Sequence, residues 1–303
     1  MSEIEGVRVG FVGLGAMGAP MAANIASSGA DVRAWTRHPE RLSEDGLGSA
    51  CRVDERRSVA DGADVVALCV TDGPDVLEVL FGDDGLAEHI APGTVVVDFS
   101  TISPVTARAI AERLGERGVG FVDAPVTGGT EGARRGTLSV LVGGDDAAVA
   151  RVRPVLEAVG TTVTHLGPVG AGQWAKAINQ VILAGTYLAV AEGVTLALAA
   201  GLDASAIVGA LAPGAAGSWV LSQRASRMID DEYPLGFRLS LHRKDLRIAL
   251  DLAGKVGASL PVASLAATLE DGLIARGYGD EDNAALARAI RGLAGLEGPS
   301  SDR

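Results

Sequence analysis

The first half of the chain alternates short apolar runs with amphipathic segments. Strand-like runs rich in β-branched residues lie at 8–12, 31–36, 63–70, 94–99 and 119–124. Several are apolar almost throughout, which is typical of strands covered on both faces. Helix-like segments lie between them, and the segment 103–118 opens with Ser103 as a candidate N-cap before Pro104. This alternation predicts an α/β fold with a doubly wound parallel sheet.

The pattern changes near residue 170. A further strand is expected at 137–144, then a helix at 145–159 and an extended run at 162–167. From Gly170 onward the strand-like runs stop and only helices are predicted. The predicted breaks between those helices lie near Gly201, Pro213–Gly217, Tyr233–Gly236, Gly257–Pro261 and Gly277–Gly279.

This change of pattern divides the whole chain into three segments. We expect an α/β cofactor domain over 1–168, an all-helical C-terminal domain over 169–296, and a loose tail at 297–303. A long interdomain helix should join the two domains.

The apolar stretch 181–201 is long enough to cross a bilayer, which requires about 20 residues. Glu192 would lie near its centre, where a charged side chain costs about 2.5–3.5 kcal/mol on insertion scales. No basic residues flank the stretch as anchors. We therefore expect a long helix buried between domains or subunits rather than a membrane span.

Composition and charge narrow the range of partners. The chain has 26 basic and 38 acidic residues, a formal net charge of −12, which disfavours nucleic acid and anionic membranes as partners. Cys69 lies in an apolar run and Cys51 in a polar region, so the two cysteines do not form a disulfide framework. The acidic N-terminus lacks the apolar region of a signal peptide. A reducing, cytoplasmic compartment is expected.

A glycine motif directly follows the first strand. Gly13, Gly15 and Gly18 form a G-x-G-x-x-G pattern between a strand and a helix, the context that dinucleotide binding requires. In this pattern the first glycine permits a tight turn, the second admits a pyrophosphate and the third allows close packing. The alternative is a glycine turn used for packing alone. The predicted cofactor loop consists of Gly13, Leu14, Gly15, Ala16, Met17 and Gly18.

The end of the second strand bears on the choice of cofactor. NAD-binding proteins usually carry Asp or Glu there, to bind the ribose 2′-hydroxyl. Here Thr36 and Arg37 occupy that position, and the planar guanidinium suits a 2′-phosphate. We expect NADP to be preferred and NAD to remain an option. A solvated surface arginine is the alternative interpretation of Arg37.

Lysine is scarce in this chain. Only Lys176, Lys244 and Lys255 occur among the 26 basic residues. Lys176 stands alone in an apolar helix-like run, three residues before Asn179 on the same helix face. A desolvated lysine can give up its proton, whereas arginine effectively cannot. This favours proton transfer by Lys176, the alternative being a lysine that reaches solvent from a helix surface.

The loop after the fifth strand lies where ligands bind in open α/β sheets. Thr127, Gly128 and Gly129 offer a hydroxyl and backbone N–H groups that suit a carboxylate, although an ordinary glycine-rich loop fits equally well. Lys244 and Asp245, taken alone, indicate a charged helix face. No metal site is expected.

Four motifs in order identify a family resemblance over nearly the whole chain. They are GFVGLGAMGAPMAANI, DAPVTGG, GAGQWAKAINQ and KDL, and DFSTISP matches as well. The chain resembles the β-hydroxyacid dehydrogenases. This group includes 3-hydroxyisobutyrate dehydrogenase, tartronate semialdehyde reductase and the glyoxylate and succinic semialdehyde reductases. The resemblance implies an N-terminal Rossmann sheet followed by an all-helical C-terminal domain.

The resemblance also implies roles for particular residues. Lys176 would be the catalytic acid and base, and Asn179 would assist at the substrate. The substrate would be a small carboxylate-bearing carbonyl compound or 3-hydroxy acid, held by Thr127, Gly128, Gly129 and Lys244. The cofactor would contact Val70, Thr71, Thr101 and Lys244.

The resemblance further implies that the helical domain binds the substrate and mediates dimerisation, and two residues depart from the family's usual pattern. The family implies a homodimer or homotetramer that packs around the long helix. Thr127 stands where the family usually has Ser, and Thr36 stands where it often has Asn. An imine reductase on the same fold is an alternative, although such enzymes generally lack the lysine. A non-catalytic NADP-binding module is a further alternative, disfavoured because both Lys176 and Asn179 are present.

Overall fold

A computed structural model describes residues 4–42 and 46–296, so the predicted tail at 297–303 lies outside the described residues. The chain divides into two compact units between Lys176 and Ala177. The division falls inside a long helix, whereas the sequence expectation placed the domain boundary before that helix. The functional division into a cofactor domain and a substrate domain stays a prediction.

The first unit contains the predicted parallel sheet. Its six strands have the order β3-β2-β1-β4-β5-β6 and are all parallel to their neighbours. Chain order reverses at β1, which leaves a crevice at the carboxyl ends of the strands. The strands are β1 (Arg8–Val12), β2 (Asp31–Trp35), β3 (Cys51–Arg52), β4 (Val65–Leu68), β5 (Val95–Asp98) and β6 (Gly120–Asp123). The short edge strand β3 was not predicted.

A second sheet holds the remaining strands, β7 (Val126–Thr127), β8 (Leu138–Val142) and β9 (Gly160–His165). The predicted strand at 137–144 therefore does not extend the main sheet. β7 pairs antiparallel with β8, and β8 pairs parallel with β9. Only Ala124 and Pro125 separate β6 from β7, too few residues for the crossover that a parallel neighbour requires. The chain turns back instead and starts a new sheet.

Helices cover the main sheet and make up the second unit. Ser103 caps its helix by accepting a hydrogen bond from the Val105 N–H at 3.2 Å, as predicted. The helices are α1 (Gly18–Ser27), α2 (Gly73–Phe81), α3 (Pro104–Gly115), α4 (Gly129–Arg135), α5 (Asp146–Val159), α6 (Ala171–Ala199), α7 (Ala204–Leu211), α8 (Trp219–Asp230), α9 (Leu239–Val256), α10 (Pro261–Ala275) and α11 (Leu286–Leu293). Beyond Gly170 the described residues form helices and no strand longer than an isolated bridge.

The main sheet has a hydrophobic core on each face. Val95 and Val97 of β5 belong to one core, and Val96 between them belongs to the other. Neighbouring side chains of a strand point to opposite faces, so a sheet covered on both sides needs strands that are apolar throughout. The second unit has its own core around Leu188, Met228 and other buried residues.

Helix α6 is long and apolar enough to cross a membrane by length and composition alone, a test that the core helix of a globular protein also passes. In the structure 44% of its most apolar window is buried. Both cysteines are free thiols. Burial raises the pKa of the Cys69 thiol to about 12, so this thiol stays protonated as a core residue.

Candidate active site

In the loop between β1 and α1, backbone conformation and close packing within the protein require glycine at two positions. Gly13 has a φ of +98°, in the region that favours glycine. A Cβ atom on Gly13 would overlap the carbonyl oxygen of Cys69, and one on Gly18 would overlap the carbonyl oxygen of Gly13. The turn and the close packing of helix on strand therefore both depend on glycine.

Gly15 has a different environment. A Cβ atom added there would have no described atom within 4 Å, so nothing in the packing explains this glycine. Helix α1 also begins without a side-chain cap at Met17, whereas Asp72, Ser103 and Asp145 cap α2, α3 and α5. Unpaired N–H groups at a helix start and the positive end of its dipole attract phosphate. The loop therefore fits the pyrophosphate of a dinucleotide.

The other predicted cofactor residues of the first unit lie on the same edge of the sheet. The Val70 N–H donates to the Ser100 hydroxyl at 2.9 Å, which joins the loops that follow β4 and β5. Gly13 packs against the Val70 side chain. The loops that contain Val70, Thr71 and Thr101 thus follow strands β4 and β5 at the carboxyl edge of the sheet, where ligands bind in folds of this kind. Contact of these residues with the cofactor stays a prediction.

Arg37 lies in the loop that follows β2. Its guanidinium is 3.8 Å from a carboxylate oxygen of Asp75, at the start of α2, and its side chain is 56% exposed. Exposed ion pairs at this distance contribute little to stability, so this contact leaves the guanidinium able to bind another anion. The Thr36 hydroxyl accepts a hydrogen bond from the His38 N–H at 3.3 Å, which shapes the same loop.

Asp123 joins both sheets to the start of α6. Its buried carboxylate accepts hydrogen bonds from the N–H groups of Gly170 at 2.6 Å and Gln173 at 2.9 Å. Gly143 and Gly172 pack so closely against Asp123 that a Cβ atom on either would fall within 3 Å of it. Burial raises the pKa of Asp123 to about 6, although the backbone N–H donors lower it.

Gln173 adds a second connection between α6 and the cofactor edge. Its side-chain amide donates to the Ser100 carbonyl at 2.8 Å and accepts from the Ile102 N–H at 3.0 Å. The backbone partners of these two bonds, Ser100 and Ile102, lie on either side of Thr101, a predicted cofactor residue. The start of α6 is thereby held in register with the loop after β5.

Lys176 follows Gln173 by three residues on α6. It is only 7% exposed, and its ammonium donates a hydrogen bond to the Val126 carbonyl at 2.9 Å. Val126 immediately precedes Thr127, so the lysine is tied to the start of the predicted carboxylate loop. The alternative of a lysine that reaches solvent is inconsistent with this burial.

The carboxylate loop depends on glycine for its shape. Gly128 has a φ of +134° and Gly129 a φ of +64°, two consecutive positions that other residues rarely adopt. Helix α4 begins at Gly129 without a side-chain cap. Thr127 pairs with Ser139 across β7 and β8, which anchors one end of the loop. The loop therefore presents a hydroxyl and a bare helix start in close succession.

In the second unit, Asn179 and Lys244 are connected through buried polar groups. The Asn179 amide donates to the Gln180 side chain at 2.7 Å, and Gln180 donates to the Asp245 carboxylate at 2.7 Å. The Lys244 ammonium lies 3.0 Å from the other oxygen of Asp245. Two residues selected separately from the sequence are thus the ends of one chain of contacts.

The sequence reasoning missed the residues that support these groups. Asp123, Ser100, Gln173, Gln180 and Asp245 all lie within or next to the quoted motifs, but no role was predicted for them. A polar side chain in an otherwise apolar run, as in the stretch 171–184, was the available signal. Among the described residues no group of three or more His, Cys, Asp or Glu side chains is arranged to hold a metal.

Two family models together match most of the chain. One, described as the NAD binding domain of 6-phosphogluconate dehydrogenase, matches residues 8–167. The other, described as NAD-binding of NADP-dependent 3-hydroxyisobutyrate dehydrogenase, matches residues 170–290. These matches agree with the fold and the glycine loop, and they define a nicotinamide-dependent oxidoreductase.

Similar proteins identify the family. The chain is 38% identical to 2-hydroxy-3-oxopropionate reductase of Escherichia coli, over 95% of this chain and 98% of that protein. It is also 38% identical to NAD-dependent L-serine dehydrogenase of Pseudomonas aeruginosa, over 91% of this chain and 95% of that protein. The chain belongs to the β-hydroxyacid dehydrogenase family, as its motifs predicted.

A solved structure extends the similarity to three dimensions. The 3-hydroxyisobutyrate dehydrogenase of Mycobacterium tuberculosis with L-serine is 31% identical, with a TM-score of 0.83 over 94% of this chain and 99% of that chain. The protein is accordingly an NAD(P)-dependent enzyme that acts on hydroxy acids or their semialdehydes.

Gly15 and Gly18 provide a matched pair for testing the loop. We expect Gly15→Ala to keep the melting temperature but weaken NADPH binding about tenfold or more, because only the backbone approach to the pyrophosphate is blocked. Gly18→Ala should instead destabilise the fold by about 1–3 kcal/mol through overpacking. Fluorescence titration with NADPH and thermal unfolding distinguish the two effects. Gly115→Ala, at an open position in α3, is the control, and unchanged NADPH affinity in Gly15→Ala would contradict the assignment.

Proposed function

We propose that the protein catalyses reversible hydride transfer between NADP and a short 3-hydroxy acid or its semialdehyde, with Lys176 as general acid and base. The observation that carries this proposal is the buried Lys176 ammonium, 2.9 Å from the carbonyl that opens the Thr127–Gly128–Gly129 loop. A proton donor and a carboxylate-binding loop are thereby held side by side.

The roles of the chain's own residues follow from this arrangement. When bound, the cofactor supplies or accepts a hydride. Lys176 donates a proton to the forming alkoxide during reduction and accepts the hydroxyl proton during oxidation. The Val126 carbonyl orients the ammonium, and Thr127 with the backbone N–H groups of the loop binds the substrate carboxylate. General acid and base catalysis of this kind contributes about 10²–10⁴-fold to the rate.

Asn179 and Lys244 complete the proposal. Asn179 orients the substrate hydroxyl or carbonyl group, one helical turn from Lys176. Lys244 contributes positive charge toward the cofactor and the substrate carboxylate. Asp245 lies between them in the chain of contacts, so it keeps the Lys244 ammonium and the Gln180 amide at fixed positions.

The names of the similar proteins support a substrate class. 2-Hydroxy-3-oxopropionate, L-serine and 3-hydroxyisobutyrate are short acids whose reacting carbon is separated from the carboxylate by one carbon atom. A carboxylate bound at the loop would place such a carbon at a constant distance from Lys176. Trp219 and Phe237 are the residues we propose to select among these acids.

Arg37 supports a preference for NADP. An exposed guanidinium at the end of β2 suits the 2′-phosphate. The similar L-serine dehydrogenase is NAD-dependent by name, so the family as a whole does not determine the cofactor and the residues at this position decide it.

Imine reduction is the second candidate. Imine reductases generally lack a lysine at this position, whereas Lys176 is present and buried beside the carboxylate loop. These features favour a carbonyl substrate bearing a carboxylate. A non-catalytic module is disfavoured because family membership and the Lys176–Asn179 pair both point to an enzyme.

A homodimer built on the second unit is part of the proposal. Ile178 and Ile182 of α6 are 57% and 63% exposed, and Val262 and Leu265 of α10 are 52% and 53% exposed. Gly185 of α6 packs against Val262, so the two helices present one apolar face. Exposed apolar surface of this kind typically marks a protein interface.

Lys176 can be tested by one replacement that keeps the positive charge and one that removes it. We expect Lys176→Arg and Lys176→Ala to lower kcat by about 10²–10⁴-fold, because arginine keeps the charge but does not give up its proton. The rate is measured from NADPH absorbance with 2-hydroxy-3-oxopropionate as substrate. The affinity of each variant for NADPH is measured separately and should equal that of the wild type. Exposed Lys255, changed to Arg, is the control. Wild-type turnover in either Lys176 variant would contradict the role of Lys176 as general acid and base.

Arg37 can be tested with both cofactors. We expect Arg37→Ala to raise KM for NADPH by about 10–150-fold, the equivalent of a charged hydrogen bond worth about 1.5–3 kcal/mol. KM for NADH should stay within about twofold, since NADH lacks the phosphate. Arg52→Ala on exposed β3 is the matched control. Equal effects on both cofactors would show that Arg37 does not bind the 2′-phosphate.

The proposed dimer face can be tested by placing a charge in it. We expect Ile182→Glu to shift the sedimentation coefficient from dimer or tetramer to monomer, because a carboxylate would be buried without a partner. Val105→Glu, at a 46% exposed position of α3, should leave the assembly intact. A wild-type monomer, or an unchanged assembly in Ile182→Glu, would refute this interface.

A further inference from the structure

A buried acid–base pair lies between α9 and α10. The Nδ1 atom of His242 is 2.6 Å from the Oε1 atom of Glu270, and both side chains are fully buried. On its other side, the Nε2 atom of His242 lies 3.4 Å from the carbonyl oxygen of Gln180 on α6. The imidazole therefore bridges α10 and α6 from a position on α9.

The contacts of the pair define how many protons it holds. The 2.6 Å Nδ1–Oε1 contact fits one shared proton, and a hydrogen bond from Nε2 to the Gln180 carbonyl, 3.4 Å away, needs a second proton on Nε2, because a carbonyl only accepts. With two protons the pair is neutral overall, whichever partner holds the shared one. Neutrality is consistent with complete burial and with a Glu270 Oε2 atom that has no hydrogen-bond partner among the described residues.

The pair supports the segment of α6 that carries Asn179. His242 and Asp245 are three residues apart on α9, so they share one helix face. His242 contacts the Gln180 carbonyl while Asp245 accepts from the Gln180 side chain at 2.7 Å. Gln180 is thus held at both its backbone and its side chain. The Gln180 side-chain oxygen in turn accepts from Asn179.

His242 also contacts Phe237, the residue proposed to select the substrate. The two rings meet edge to face, with centroids 6.1 Å apart. One imidazole therefore touches the backbone behind Asn179 and the ring of Phe237.

Stability alone does not account for such a pair. Well-packed hydrophobic residues of similar volume often replace a buried ion pair with no loss of stability, whereas removal of one partner is costly. Directional hydrogen bonds instead supply a fixed orientation, which apolar packing does not. The orientation needed here is that of Gln180 and, through it, of Asn179.

We propose that His242 and Glu270 are positioning residues for the reaction, which hold Gln180 and thereby orient Asn179. This inference rests on the function proposed above. Neither residue transfers a proton to substrate, so their removal should affect kcat and leave cofactor binding in place.

The test compares single and double replacements in the full chain. Glu270→Gln keeps the shape but leaves the imidazole a single ring proton, which the new amide oxygen accepts from Nδ1, so that Nε2 no longer donates to the Gln180 carbonyl. The double variant His242→Met with Glu270→Met replaces the pair by apolar side chains. We expect both to lower kcat for 2-hydroxy-3-oxopropionate by about tenfold or more, since a misplacement of about 1 Å can cost about 10²-fold in rate. NADPH affinity should stay within about twofold of wild type, the usual pattern for a positioning effect.

The double variant separates positioning from stability. Removal of one partner should lower the melting temperature, whereas the double variant should match the wild-type melting temperature. Its kcat should nevertheless stay low. Recovery of both would show that the pair only stabilises the fold and would overturn the inference. Asp271→Asn is the matched control, because Asp271 on α10 makes bonds of 2.7 and 2.9 Å to Arg243 on α9 at the exposed surface. Its kcat should not change.

A spectroscopic measurement tests the proton count directly. The chain has only four histidines, so ¹⁵N-labelled histidine and His242→Met identify the His242 signals. Both ring nitrogens should carry protons in the wild type, with the Nδ1 proton far downfield, whereas Glu270→Gln should keep the proton on Nδ1 and lose the one on Nε2. An unprotonated Nε2 in the wild type would remove the hydrogen bond to Gln180 and overturn the inference.

Asn179→Ala distinguishes this inference from the proposed function. If Asn179→Ala keeps wild-type kcat, the proposed role of Asn179 fails and the inference fails with it. If Asn179→Ala loses turnover while Glu270→Gln and the double variant keep it, only the positioning inference is overturned.

Discussion

The contact between the Asp123 carboxylate and the start of α6 determines where the candidate chemistry can lie. Asp123 ends the last strand of the main sheet, pairs with Gly143 of the second sheet and accepts hydrogen bonds from Gly170 and Gln173. A carboxylate at a helix N-terminus is favoured by the helix dipole. Because α6 starts at this fixed point, Lys176 emerges a turn and a half later beside Val126. The loop that we propose to bind the substrate carboxylate begins at the next residue, Thr127.

Buried polar residues support the residues that we propose to act on substrate. Gln173 holds the start of α6 to the backbone around Thr101, and Gln180 with Asp245 connects Asn179 to Lys244. Each is a buried polar group that would be costly without its partner. The same low-dielectric environment makes these hydrogen bonds directional and strong. Within each unit, the predicted site residues are therefore held by polar contacts as well as by apolar packing.

Arginine and lysine have separate uses in this protein. Arginines make most of the ion pairs and ring contacts, such as Arg243 with Asp271 and Arg224 over the Trp219 ring. Lys176 is buried and the Lys244 side chain is 12% exposed, whereas Lys255 lies on the surface. A planar guanidinium is suited to bidentate and stacked contacts, and an ammonium is suited to proton transfer. This division of uses agrees with the expectation, drawn from the scarcity of lysine in the sequence, that Lys176 transfers a proton.

The sequence by itself determined the fold class, the five long strands of the main sheet, the helical second half and the glycine loop, but not the two-residue strands β3 and β7. These features depend on local periodicity and on glycine positions, which a sequence displays directly. It also singled out Lys176, since an isolated lysine in an apolar run is visible without coordinates. Only the tertiary structure decided that the segment at 137–144 joins a second sheet, that Asp123 caps α6, and that His242 meets both Glu270 and Gln180. Those contacts join residues 28 to 62 positions apart for the histidine and 47 to 50 positions apart for the aspartate. No local pattern encodes such pairings, because they arise only when separate elements pack together.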